Sequence, residues 1–213
     1  MATERPPDLS LFVGILHVLE AINAPYAIIG AFAATVYGIT RTTYDIDIVV
    51  DLSEQDIQSL VTHYPPPRYY ADYEQIHDSV RHGMMFNIID SDRGEKADLL
   101  PATMNPLYRQ VLVRRVRHRV EAPGQEPFDA WCACLEDVII GKLMAWAEAR
   151  SRKHETDIYE MLVFHYVGLD PSIAFDEFIV DTAAMALGSA VAEFWATTRE
   201  AARREASRLA GKS

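Results

Sequence analysis

Leu9, Leu11, Phe12, Ile15, Leu16, Leu19 and Ile22 recur every three to four residues. That is the spacing of one helical face, so it predicts a helix over 9–23, entered after Pro7 and broken at Pro25. Residues 26–29 form a short apolar run that reads as a strand ending at Gly30. The small residues of 31–37 then predict a helix closed by Gly38. Residues 46–50 are rich in β-branched side chains and predict a strand, after which Ser53 and Glu54 open a helix to about residue 62. Three consecutive prolines, Pro65, Pro66 and Pro67, make a rigid connector. Residues 84–89 and 96–100 flank the turn sequence Asp90-Ser91-Asp92-Arg93-Gly94 and predict a hairpin. The alternation over 112–120 predicts a further strand. From Leu135 onward the pattern is helical, with stops near Gly168 and Pro171 and at Gly188. The expected fold is therefore a small mixed-sheet α/β domain over residues 1–132, followed by a helical C-terminal domain over 133–213.

Composition sharpens this picture. Of 213 residues 49% are apolar and 24% charged, enough to bury a core, which excludes a disordered chain. No apolar run approaches the roughly 20 residues that span a bilayer. The first residues lack a basic segment followed by an apolar one, so a cytoplasmic protein without a membrane segment is expected. Cys132 and Cys134 stand too close together for a disulfide framework and lack a second ligand cluster, so they are read as packing residues. The net charge of −11 excludes non-specific coating of nucleic acid, but not a nucleic-acid substrate met by segregated positive charge. Basic residues do cluster, over 109–119, 150–154 and 199–208, and the last cluster reads as solvated surface. The histidines at 63, 77, 82, 118, 154 and 165 show no pairing with an acid or nucleophile. Trp131, Trp146 and Trp195 read as packing residues.

The densest chemistry lies at Asp45-Ile46-Asp47. Residues i and i+2 of a strand share a face, so both carboxylates project together. At about 4 Å they repel by roughly 4 kcal/mol at an effective dielectric of 20, unless solvent or a cation separates them. A hard cation such as Mg²⁺ is the natural occupant, and solvated strand-end acids are the plain alternative. Three neighbours favour the cation. Gly30 and Ala31 follow an apolar strand at a strand-to-helix turn, where free N–H groups attract phosphate. Arg41, Thr42 and Thr43 offer a cation and two hydroxyls. Asp98 supplies a third carboxylate within the second hairpin strand. Three acids holding metal beside a phosphate-binding turn suit phosphoryl or nucleotidyl transfer.

These residues resemble the nucleotidyltransferase (polymerase β-like) superfamily. Gly38-Ile39-Thr40-Arg41-Thr42-Thr43-Tyr44-Asp45-Ile46-Asp47 is similar to its AbiEii-type branch, which includes toxins of bacterial toxin–antitoxin pairs. So are Met85-Phe86-Asn87-Ile88-Ile89-Asp90 and Lys96-Ala97-Asp98. The resemblance implies that Asp45, Asp47 and Asp98 hold two Mg²⁺ ions and the triphosphate of an NTP, with Asp98 helping to activate the acceptor hydroxyl. Gly30, Ala31, Arg41 and Thr43 would seat phosphates. The toxin resemblance implies an RNA acceptor such as tRNA and a cognate antitoxin as partner, with Arg109, Arg114, Arg115, Arg117 and Arg119 available for RNA phosphates. A small-molecule acceptor, as in antibiotic nucleotidyltransferases, and a silent nucleotide-binding module are the alternatives.

In the helical half, Lys142 falls in the middle of a stripe of Leu135, Val138, Ile139, Leu143 and Trp146, and Asp157 shares a face with Met161 and Phe164. An inward lysine needs a partner or a polar cleft. Gly141-Lys142-Leu143-Met144-Ala145 and Thr156-Asp157-Ile158-Tyr159-Glu160 resemble the two C-terminal motifs of the AbiEii-type branch. The resemblance implies that Lys142 faces the nucleotide and neutralises developing charge, with Asp157 orienting it. It runs from about residue 10 to 170. The chain departs from the pattern at Ala31, where Ser or Gly is common, and at Thr43, Thr156 and Gly141.

Overall fold

The computed structural model describes residues 9–40, 46–120 and 126–211. In chain order its elements are α1 (Ser10–Ala21), β1 (Tyr26–Ile29) and a single helical turn α2 (Gly30–Ala33) continued by a 3₁₀ turn (Ala34–Tyr37). Then come β2 (Asp47–Val50), α3 (Glu54–His63), β3 (Tyr69–Tyr70), α4 (Tyr73–His82), β4 (Phe86–Asp90), β5 (Glu95–Pro101) and α5 (Pro106–Arg114). The remainder is β6 (Val116–Val120), β7 (Phe128–Cys132), α6 (Leu135–Ala149), α7 (Arg152–Val167), α8 (Glu177–Ala186) and α9 (Ser189–Ala210).

The chain divides into two compact units, Met1–Phe32 with Thr43–Ala133 and Ala33–Thr42 with Cys134–Ser213. The first is built on a seven-stranded mixed sheet in the order β3-β4-β5-β2-β1-β7-β6. β2 runs antiparallel to β1 and parallel to β5, and β4 pairs antiparallel with β5 as the hairpin reading requires. Ile15, Leu16 and Leu19 of α1 and Ile57 and Leu60 of α3 are fully buried, each such side chain contributing about 1.5–3 kcal/mol of apolar burial. α3 begins with a capping box: Ser53 accepts from the Asp56 backbone N–H, and the Asp56 carboxylate accepts from the Ser53 N–H.

The second unit is helical. Trp195 is buried and donates its indole N–H to Asp181 at 2.6 Å, while Trp146 stacks on Phe194 at 4.0 Å between centroids. Gly38, at φ +93, ends the 3₁₀ turn where a Cβ would lie 2.4 Å from the Phe164 ring, so this unit's own α7 demands glycine there.

The short strand β3, α4 and α5 are not in the sequence reading. The expected strand over 112–120 begins as the end of α5, and only Val116–Val120 is strand. Asn105 caps α5, and Pro106 at its first position pre-sets the helical φ. α4 was not expected at all, although Tyr73, Ile76 and Val80 stand at helical spacing between an Asp72 cap and a left-handed Gly83. Among the described residues no helix is long and apolar enough to cross a membrane.

Candidate functional site

Strand pairing brings the acids of the first unit together. Asp47, the first residue of β2, lies in register with Asp98 of the parallel neighbour β5. Register partners project from the same face of a sheet, and adjacent strands are about 4.8 Å apart, so the two carboxylates are lateral neighbours. On the other side of β2, Asp47 is in register with Ile29, the residue before Gly30. Gly30 turns the chain out of β1 at φ +69, and a Cβ there would stand 2.6 Å from Asp47 Oδ2. Only glycine combines that backbone angle with that approach, so the turn is shaped around the carboxylate.

Asp98 is partly exposed, and its Oδ1 accepts from Asn87 Nδ2 at 2.5 Å and lies 3.0 Å from Lys96 Nζ. No other partner of Asp98 exists among the described residues. One oxygen is thus fixed by an amide and an ammonium and the other is left for a ligand. Tyr108 of α5 also approaches the acids. Burial, and then the charge of Asp47, push its phenol above the ordinary value, so it stays a neutral O–H at physiological pH.

Asp45, Arg41 and Thr43 lie outside the described residues. Gly30 and Ala31 are at the β1–α2 turn beside Asp47, and Ala31 brings a methyl group where a hydroxyl was considered. Lys142 and Asp157 meet within the second unit: Lys142 Nζ stands 2.5 Å from Asp157 Oδ2, with side chains 6% and 2% exposed. The inward lysine thus sits in a buried pair with Asp157. Among the described residues no group of three or more His, Cys, Asp or Glu side chains is gathered as a metal-ligand set. The donors that do meet, two carboxylates with a glycine cradle, are hard oxygens of the kind that suits Mg²⁺.

The sequence reading did not assign roles to Asn87, Lys96 or Tyr108. Alternation in β4 was the available signal for Asn87, since it sets that residue on the face opposite buried Phe86 and Ile88. Tyr108 reaches Asp47 across a long loop in sequence and left no local sign.

The basic residues of 109–119 are not equivalent. Arg117 pairs with Glu20, and Arg119 lies 3.7 Å from Asp129. Arg109 has no acidic partner among the described residues. Arg115 lies over the Trp131 ring, 4.9 Å from its centroid, with its Nε buried and unbonded.

No protein-family profile and no curated protein matches the chain. Solved structures do. An antigenic nucleotidyltransferase-like protein from Paracoccidioides brasiliensis matches at 19% identity over 84% of this chain and 85% of its own, with a TM-score of 0.46. The antibiotic-resistance factor ANT(2'')-Ia matches at 17% identity over 96% and 95%, with a TM-score of 0.41. JHP933 from Helicobacter pylori matches at 14% over 95% and 93%, with a TM-score of 0.37. At such identities the chemistry has to come from this chain's own residues.

Proposed function

We propose that the chain is a metal-dependent nucleotidyltransferase of the polymerase β-like superfamily, in its AbiEii-type branch, moving a nucleoside monophosphate from an NTP to an acceptor hydroxyl. The observation that carries this reading is the lateral pairing of Asp47 with Asp98 beside the Gly30 cradle. Two carboxylates held side by side repel unless a cation joins them, and Gly30 lets the backbone of the strand-to-helix turn come up against Asp47 with no Cβ in the way.

Asp45, Asp47 and Asp98 would hold two Mg²⁺ ions, which when bound polarise the triphosphate and lower the pKa of the acceptor hydroxyl. Asn87 and Lys96 hold Asp98 in one orientation, so its second oxygen is aimed rather than free to rotate. Asp98 in this reading accepts the acceptor's proton or orients the hydroxyl that loses it. Gly30, Ala31, Arg41 and Thr43 seat phosphates. Lys142 neutralises charge developing on the triphosphate and Asp157 orients it. The buried pairing supports the orienting half of that assignment.

For the acceptor we propose RNA, with tRNA as the leading class, and a role as the toxin of a toxin–antitoxin pair in the cytoplasm. Arg109 and Arg115, which have no carboxylate partner among the described residues, support a phosphate-bearing acceptor. The test is to incubate the protein with α-phosphate-labelled NTPs, Mg²⁺ and total bacterial RNA, beside a panel of aminoglycosides and lincosamides. Labelled RNA supports the full reading. Label on a small molecule alone replaces the acceptor, and no label with a Mg²⁺-dependent shift in Tm by NTP supports a silent binding module.

A further inference from the structure

A cavity of about 700 Å³ opens in the first unit between the start of β1, the end of β2, α5 and β7. It is not the acid site. Its acidic residue, Asp51, follows β2, four residues beyond Asp47, or about 13 Å along an extended chain. The volume falls within the range of small-molecule sites.

Three features of its wall define an occupant. Arg109 and Arg115 both line it and neither has a carboxylate partner among the described residues. The cavity's one lining acid is Asp51, so its wall keeps an excess of positive charge that suits an anion, in a chain whose net charge is −11. Arg115 carries a further mark: its Nη1 donates to the Leu112 backbone carbonyl, while its Nε is a buried donor with no acceptor among the described residues. Pro25, Leu112 and Val113 supply an apolar surface, with Val113 84% exposed at the rim. Asp51 supplies an acceptor for N–H groups.

The wall is also set in advance. Arg115 and Arg117 lie over the Trp131 ring at 4.9 and 5.3 Å from its centroid. Arg117 is held by Glu20, which accepts the Tyr26 hydroxyl at 2.6 Å, and that hydroxyl accepts the Trp131 backbone N–H at 3.3 Å. The guanidinium planes are thus fixed on an indole, so Arg115 can meet a phosphate at little entropic cost. An anion, a flat partly apolar body and N–H donors on one ligand describe a nucleoside phosphate.

We infer that this cavity binds a nucleoside monophosphate unit, its phosphate on Arg109 and Arg115 and its base on the apolar wall with Asp51 accepting from the base edge. The unit comes either from a free nucleotide or from a single-stranded RNA. The inference stands apart from metal-dependent transfer and holds whether or not transfer occurs.

The test is calorimetric titration of the full chain with uridine and adenosine monophosphates in EDTA, where the acid site has no metal. One-site binding is expected in wild type and in Asp98→Asn. Arg109→Ala and Arg115→Lys, checked for folding by circular dichroism, should each weaken it about tenfold or more, the loss of one charge-assisted contact. Inorganic phosphate should bind at least about tenfold more weakly than the nucleotide. Displacement of the nucleotide by a short single-stranded RNA, with steep salt dependence, assigns the unit to a strand, and no displacement assigns it to a free nucleotide. Absence of binding in wild type, unchanged affinity in both arginine variants, loss of binding in Asp98→Asn, or phosphate binding as tightly as nucleotide would each overturn the inference.

Discussion

Gly30 carries the sharpest single-residue constraint. Its φ of +69 costs an L-residue about 1–2 kcal/mol, and the added methyl would meet Asp47 Oδ2 at 2.6 Å. Gly30→Ala should therefore lower stability in urea by about that amount and also displace the carboxylate, losing NTP turnover beyond what the stability change explains. An unchanged urea midpoint would contradict the cradle. Lys142 and Asp157 make the second residue-scale case. Methionine matches the apolar stripe around Lys142 in length, so Lys142→Met removes the charge and little of the packing. With both side chains buried in a 2.5 Å pair, removing the cation takes its counter-charge from a buried carboxylate, and the expected loss is about 3–5 kcal/mol. Replacing both, as Lys142→Met with Asp157→Leu, should recover much of that loss. A double variant as unstable as the single would show that the lost counter-charge is not the cause.

Among the elements, the β4–β5 hairpin depends on one side chain. Asp90 is buried, accepts from the Asp92 and Arg93 backbone N–H groups at 3.1 and 3.3 Å, and takes Arg68 Nη2 at 2.8 Å. It therefore ties the turn to the segment leading into β3. The Arg68 guanidinium, before the opposing effect of burial, holds the Asp90 carboxyl below the ordinary carboxylate value. A carboxyl depressed in the folded state contributes stability above its unfolded pKa, near 3.9, and loses it as pH falls through the folded value. Arg68→Gln should thus be less stable than wild type in urea at neutral pH, with the gap narrowing as pH falls below the ordinary carboxylate range. A gap of constant size across that range would contradict the linkage. The hairpin was legible because Asp90-Ser91-Asp92-Arg93-Gly94 is a local turn signal between two apolar runs. α3 was legible through its Ser53 cap. α5 was not, because Leu112, Arg114 and Val116 mimic a strand across the junction of a helix with β6, while Asn105 and Pro106 were the signs that a helix starts there. Local chemistry marks where elements begin, but alternation cannot tell one element from the seam between two.

For the whole molecule, the mixed sheet with a following helical unit was readable from the pattern of strands and helices. The order of strands was not, since no local feature says that β5 enters between β4 and β2. That insertion is what sets Asp98 beside Asp47, and it is also why Asn87 and Lys96 become part of the acid site. The account stands or falls on those two carboxylates acting together on a metal-bound triphosphate. The most direct measurement is the rate of pyrophosphate release from NTP, with Mg²⁺ and the acceptor that takes label from wild type, comparing wild type with Asp47→Asn and Asp98→Asn. Circular dichroism and Tm would confirm that each variant is folded. The account predicts a Mg²⁺-dependent rate in wild type and a fall of roughly 10²-fold or more in both variants. Folded variants that release pyrophosphate at the wild-type rate would contradict it.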